Sequence, residues 1–127
     1  MTFWQGRSVR KMTGGRYRQA RKKRRYELGS DPVLTKLGET RKKIERTYGG
    51  HQKIKLLSAD EVNVYDPNTK TMKKVKIITV KENSANPHFV QRNIINRGAV
   101  VQTELGLVKI TSRPGQDGLL NGVLIGK

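Results

Sequence analysis

The chain contains no cysteine among its 127 residues. This absence excludes disulfides, thiolate-based zinc sites and thiol chemistry, and it agrees with an intracellular protein. The N-terminal residues lack the apolar stretch of about 7–15 residues that a secretory signal needs. No apolar run approaches the roughly 18 residues that span a bilayer. The sequence therefore predicts an intracellular protein without a membrane partner.

Residues that carry catalysis are also scarce. His51 and His88 are the two histidines of the chain, and neither has a partner at the H-x-x-x-H spacing of a metal site. Asp60 and Glu61 are adjacent, which on a strand points them to opposite faces, a poor geometry for shared acid–base work. We therefore expect no enzymatic activity, no cofactor, no metal and no small-molecule substrate.

Acidic residues are few, and this shortage is the most informative one. The chain has 27 basic and 10 acidic residues, a formal net charge of +17. Residues 1–50 account for +11 of this charge and residues 51–127 for +6. Such an excess predicts a polyanionic partner. A membrane surface would require a basic amphipathic helix with an apolar face, which the sequence does not contain, so nucleic acid is the predicted partner.

The positive charge is concentrated before Glu27, the first acidic residue, with ten basic residues preceding it and five of them consecutive from Arg21 to Arg25. A helix here would place Arg18 beside Lys22 and Arg21 beside Arg25, like-charge pairs that destabilise it. The segment is predicted to be extended or disordered in isolation and to become ordered on phosphates. Arginine binds phosphate oxygens in pairs, and neighbouring aromatic rings can stack on unpaired bases. These rings belong to Phe3, Trp4, Tyr17 and Tyr26.

From about Arg41 the sequence changes to short alternating segments. Residues 43–48 and 51–57 alternate apolar and polar side chains, and a strand is favoured here over a helix that would begin at Thr40. A hairpin is predicted around the turn sequence DPNT, and three further strands in AVVQTE, LVKIT and LLNGVLI. Six or seven short strands predict an all-β fold, a small β-barrel with a basic, extended N-terminal tail. The predicted division is residues 1–40 for the basic extension and residues 41–127 for the barrel.

The candidate nucleic-acid-binding residues lie in both parts. Those of the extension are Arg7, Arg10, Lys11, Thr13, Gly14, Gly15, Arg16, Arg18, Arg21, Lys22, Lys23, Arg24 and Arg25. Those of the barrel are Arg41, Lys42, Lys43, His88, Arg92 and Arg113. The glycines after Thr13 leave the backbone open to close approach. Arg113 lies in the loop SRPGQDG, which is equally consistent with a phosphate contact and with a connection between barrel strands that has no binding role. The segment NPHFVQRN around His88 is predicted to form one helical turn or a structured loop.

Two long motifs carry a resemblance to a known family. RKMTGGRYRQARKKRRYELG and NPHFVQRNIINRGAVVQTELGLVKITSRPGQDGLLNGVLI resemble the N-terminal motif and the C-terminal half of the small-subunit ribosomal protein eight family of the eukaryotic and archaeal type. The short length resembles archaeal members. The resemblance implies a β-barrel with a basic extension, located in the cytoplasm on the ribosome. It implies as partners small-subunit ribosomal RNA and neighbouring ribosomal proteins.

Two other roles stay open from the sequence. A related branch of the family acts in ribosome biogenesis, so a factor bound transiently to precursor ribosomal RNA is one alternative. A chromatin-like protein that prefers duplex DNA is the other, because charge alone does not distinguish the two nucleic acids.

Overall fold

The computed structural model describes residues 3–126. It divides into two compact units, Met1–Pro32 and Val33–Lys127. The described part of the second unit contains the strands β1 Thr35–Leu37, β2 Arg41–Arg46, β3 Gln52–Ala59, β4 Glu61–Asp66, β5 Thr71–Glu82, β6 Ile94–Ile95, β7 Val100–Thr103, β8 Gly106–Ile110 and β9 Asn121–Gly126. Single helical turns form α1 His88–Gln91 and α2 Pro114–Asp117, and 3-10 turns occupy Arg25–Glu27 and Tyr48–Gly50.

Five strands form a closed barrel in the order β4-β5-β7-β8-β9. Neighbours along this order are antiparallel, and the parallel pair of β9 with β4 closes the circle. The barrel explains why apolar and polar residues alternate in the sequence of its strands. The apolar residues Val62 and Val64 are buried inside the barrel beside Val101 and Val108. Gly122 permits the close packing of β9 on β8, since a Cβ atom there would lie 2.4 Å from a methyl group of Val108.

The remaining strands form a second sheet in the order β2-β3-β1-β6. Strand β1 runs parallel to β3 and antiparallel to β6. Its Thr35 is fully buried, and the hydroxyl donates a 2.6 Å hydrogen bond to the carbonyl oxygen of Leu56. Ile94 and Ile95 of β6 are buried as well. Strand β2 pairs only with β3 among the described strands and forms an edge of this sheet.

The all-β prediction is confirmed. The strand predicted at residues 43–48, in place of a helix, is β2 Arg41–Arg46, and it ends earlier because a 3-10 turn begins at Tyr48. The predicted strands are divided between a five-stranded barrel and a second sheet, and do not all belong to one barrel. The compact units also divide at Pro32 and not at residue 40, because β1 contributes a fully buried side chain to the second unit. The predicted helical turn in NPHFVQRN is α1, and the loop SRPGQDG contains α2.

Candidate nucleic-acid interface

Most of the charged residues of the N-terminal unit are basic. Residues 1–32 contain ten basic residues and two acidic ones, Glu27 and Asp31, a net charge of +8. All ten basic residues are exposed. The unit is nevertheless organised, and two local structures hold it.

The first local structure is a tight hairpin over residues 9–17. The Tyr17 amide donates to the carbonyl of Val9, and the Lys11 amide to that of Gly15. A turn closes it through the Gly14 amide and the Lys11 carbonyl, with Gly14 at a φ of 83°. That left-handed conformation favours glycine. The Arg10 guanidinium also donates to the Gly14 carbonyl at 2.8 Å.

The second local structure pairs the start of the unit with its end. The Gln5 amide donates to the carbonyl of Glu27, and the Gly29 amide to that of Phe3, so residues 3–5 run antiparallel to residues 27–29. Gly6 lies directly against the Trp4 indole, where an added Cβ would stand 2.3 Å from a ring carbon. A side chain at residue 6 would therefore displace the indole.

Glu27 is the centre of this second structure. Its Oε2 accepts a 3.0 Å hydrogen bond from the Trp4 indole N–H, and its Oε1 accepts a 2.7 Å bond from the Arg21 guanidinium. Arg21 donates a further hydrogen bond of 3.0 Å to the Tyr26 hydroxyl. The indole hydrogen bond lowers the pKa of Glu27, helped by the charge of Arg21. The hydrogen bond to Tyr26 and the nearby Glu27 charge raise the pKa of Arg21. Arg21 therefore has an internal counter-charge.

Aromatic and cationic groups meet around Tyr17. The Arg7 guanidinium lies 3.8 Å from the centre of the Tyr17 ring, and the Lys11 ammonium lies 5.6 Å from it. A cleft of about 260 Å³ opens beside this stack. Its walls include Trp4, Arg7, Tyr17, Arg18, Lys22 and Glu27.

The structure brings many of the predicted residues of the extension together in this unit. Arg7, Arg18, Arg21, Lys22 and Lys23 line the cleft. A second group belongs to the tight hairpin: Arg10, Lys11, Thr13, Gly14, Gly15 and Arg16. Arg24 precedes the 3-10 turn Arg25–Glu27 and Arg25 begins it, and both side chains are exposed.

The predicted residues of the second unit lie on one sheet or on elements that pack against it. Arg41, Lys42 and Lys43 are exposed on the edge strand β2. Arg113 is exposed at the start of α2, which packs against β3, and its backbone amide donates to the Asp117 carboxylate. His88 and Arg92 are exposed beside β6, at the opposite edge. Three strand spacings of about 4.8 Å separate the two edges, roughly 14 Å.

The hairpin of β2 and β3 carries an internal ion pair among its cations. Lys55 pairs with Glu45, and the Lys55 hydrogen bond lowers the pKa of Glu45. Ile44 and Tyr48 of the same hairpin are largely exposed, at 64% and 84%. This element therefore presents positive charge together with apolar side chains.

Sequence reasoning missed the roles of Glu27 and Gly6. Glu27 contacts Trp4, which lies 23 positions away, so no local spacing connects the two residues. The one available signal was the position of Glu27 as the first carboxylate after ten cations.

Comparison with known proteins identifies the family. A family model described as "Ribosomal protein S8e" matches residues 4–125. The chain belongs to the ribosomal protein S8e family. The match spans nearly all of both units, and S8e is a family of structural, non-enzymatic ribosome components, which agrees with the prediction that the chain is not an enzyme.

Curated relatives of the S8e family resemble the chain over nearly its full length. The "Small ribosomal subunit protein eS8" of Picrophilus torridus is 59% identical over 125 residues, 98% of this chain and 100% of the relative. Proteins of the same name from Methanospirillum hungatei and Methanosphaerula palustris are 56% and 52% identical, over 96% and 97% of this chain and 98% of each relative. These relatives are archaeal, as the resemblance implied. No helix within residues 3–126 is long and apolar enough to span a membrane.

Proposed function

We propose that the chain is a structural constituent of the small ribosomal subunit, in the cytoplasm, and that it binds small-subunit ribosomal RNA. The observation that supports this most directly is the N-terminal unit, an organised structure with ten exposed basic residues and two acidic ones. Its relatives bear the name of a small-subunit protein. Charge of this density needs counter-charge, and closely spaced RNA phosphates supply it.

The N-terminal unit would act between RNA segments. Arg24 and Arg25 present guanidinium groups that bind phosphate oxygens in pairs, whereas Lys22 and Lys23 contribute point charges. Neutralising several phosphates releases condensed counterions and lowers the repulsion between neighbouring RNA strands. The extension would thus allow RNA segments to lie closer together than they do alone.

The second unit would add separate contacts. Arg41, Lys42 and Lys43 on the β2 edge supply a second positive surface, and Arg113 lies on an element that packs against the same sheet. The exposed Ile44 and Tyr48 suit a neighbouring ribosomal protein, because apolar and aromatic side chains are common at the centres of protein interfaces. His88 and Arg92 would serve RNA at the opposite edge.

A salt series tests RNA binding directly. The full chain is titrated into a labelled small-subunit ribosomal RNA fragment, and the binding constant is measured at several salt concentrations. Neutralisation of about eight phosphates predicts a slope of log K against log salt of roughly −6 to −7. The same titration with duplex DNA of equal charge should give weaker binding. A slope near zero, or a preference for the duplex DNA, would contradict the proposal.

A further inference from the structure

The cleft of the N-terminal unit differs from the rest of the basic surface, because it combines ring planes with charge. Trp4 and Tyr17 both line it, and the Arg7 guanidinium stacks on Tyr17 at 3.8 Å. Trp4 is half-buried, and its N–H bond to Glu27 fixes the indole. Unpaired bases stack on aromatic rings and on guanidinium planes alike. Ordered aromatic rings are not needed to bind phosphates, so their presence in the cleft favours a ligand that includes bases.

The carboxylate in the wall offers a hydrogen-bond acceptor to a nucleobase. Glu27 lines the cleft, and its lowered pKa keeps it ionised at neutral pH. The carboxylate is paired with Arg21, and the cations that line the cleft outnumber it, so its distinct contribution is a hydrogen-bond acceptor and not the exclusion of phosphate. A carboxylate has about four acceptor positions, and the bonds from the Trp4 indole, the Arg21 guanidinium and the Arg24 backbone amide leave capacity for an N–H group of a base. Arg18, Lys22 and Lys23 also line the cleft and supply the counter-charge for the flanking phosphates.

The size of the cleft suits a small group. Its volume of about 260 Å³ is below the roughly 300–1,000 Å³ of pockets that enclose drug-sized molecules. A single nucleobase is smaller than a drug-sized molecule and suits a cleft of this volume. A folded RNA element would contact only the rim.

We propose that this cleft binds one unpaired nucleobase of an RNA strand, with the base against the Trp4 and Arg7–Tyr17 planes and the backbone phosphates on the surrounding cations. The inference rests on the proposed RNA binding and adds a specific site to it. It also predicts that the N-terminal unit distinguishes unpaired RNA from other polyanions of equal charge.

Trp4 is the one tryptophan of the chain, so its fluorescence reports on the cleft. The full chain is titrated with a short single-stranded RNA and, separately, with inorganic polyphosphate of matched charge, and anisotropy of labelled ligand measures binding in parallel. RNA should quench Trp4 by base stacking, whereas polyphosphate should bind with little quenching. Quenching by both polyanions to the same extent would overturn the inference, because charge alone would then explain it.

Variants of Tyr17 and Arg7 separate stacking from charge. Tyr17→Leu should weaken binding of the short RNA about 5- to 150-fold, the range for losing one base–aromatic stack, and leave polyphosphate affinity unchanged. Tyr17→Phe should retain RNA affinity because the ring stays. Arg7→Lys keeps the charge and removes the guanidinium plane, so it should weaken RNA binding more than polyphosphate binding. This variant tests stacking even if Tyr17→Leu disturbs the structure of the N-terminal unit. Tyr48→Leu, in the other unit, is the matched aromatic control and should have no effect on Trp4 quenching.

The outcomes separate this inference from the broader function. If the chain binds RNA by anisotropy and Trp4 is not quenched, the base site is wrong and the proposed function stands. If the chain does not bind RNA at all, both are wrong. Equal losses for RNA and polyphosphate in Arg7→Lys would also contradict the base site.

Discussion

At the scale of single residues, Glu27 links parts of the N-terminal unit that are far apart in sequence. It accepts the Trp4 indole N–H and the Arg21 guanidinium on its two oxygens. Neither hydrogen bond can be predicted from the sequence, because the sequence pattern there consists only of one acidic residue after a run of basic ones. The cations themselves were predictable, since composition alone identifies them. Which cation has an internal partner depends on how the chain folds back.

Glu27 should make the N-terminal unit sensitive to acid. Its pKa is lowered in the folded unit, chiefly by the indole hydrogen bond. A lowered pKa contributes stability that is present above the unfolded value and is lost as the pH falls through the folded value. Trp4 emission should therefore stay constant down to the ordinary glutamate pKa of about 4.3 and change only below it. Glu27→Gln should abolish that transition, and a wild-type midpoint above the ordinary value would contradict the assignment.

Arg21 and Arg24 should respond differently to the same substitution. Both changes to alanine remove one charge, but the Arg21 side chain bonds to Glu27 and Tyr26, whereas Arg24 bonds to Glu27 through its backbone amide, which alanine retains. Arg24→Ala should flatten the salt slope of RNA binding by about one unit and leave Trp4 emission unchanged. Arg21→Ala should shift Trp4 emission in the free protein. Identical emission spectra for the two variants would show that Arg21 has no structural role.

At the scale of elements, the alternation of apolar and polar residues predicted the longer strands. Val62 and Val64 alternate with polar residues in β4, and they are buried as the pattern requires. Strands β1 and β6 were not predicted, since they contain three and two residues and are too short to show a period. Thr35 is a polar residue at a fully buried position, and the sequence placed it in the basic extension of residues 1–40. Tertiary pairing with β3 determines that strand.

The β2 edge should contribute to RNA binding separately from the extension. Lys42 and Lys43 are exposed on β2, and Lys73 and Lys76 are exposed on the barrel strand β5. The double change Lys42→Ala with Lys43→Ala should lower affinity for the ribosomal RNA fragment and flatten the salt slope by up to roughly two units. Lys73→Ala with Lys76→Ala removes the same charge and should have a smaller effect. Equal effects, measured by the same titration, would mean that only net charge matters.

At the scale of the whole molecule, the chain divides into a basic N-terminal unit and a β-rich unit. The sequence predicted this division from the change of composition, and it placed the boundary at residue 40. The compact units divide at Pro32, because Thr35 lies inside the second unit. The distribution of charge along the sequence cannot locate this boundary, because the buried residues that attach β1 to the second unit are neutral.

Two truncations should have different consequences for folding. Deleting residues 1–32 should leave a folded β-rich unit with much weaker RNA affinity. Deleting residues 1–40 also removes β1 and the hydrogen bond of Thr35 to Leu56. An unsatisfied buried acceptor alone costs about 1–3 kcal/mol, so this truncation should have a clearly lower free energy of unfolding. Circular dichroism with denaturant titration measures both, and equal stability would show that β1 contributes nothing to the fold.

If the chain is a permanent part of the small ribosomal subunit, as we propose, mature subunits should contain it. Sedimentation of a cell lysate tests it most directly, with quantitative detection of this chain across the gradient. We expect one copy of the chain per mature small subunit, and release into the soluble fractions at high salt as the phosphate contacts are screened. Confinement of the chain to precursor particles, with none on mature subunits, would contradict the claim and support the transient assembly role instead.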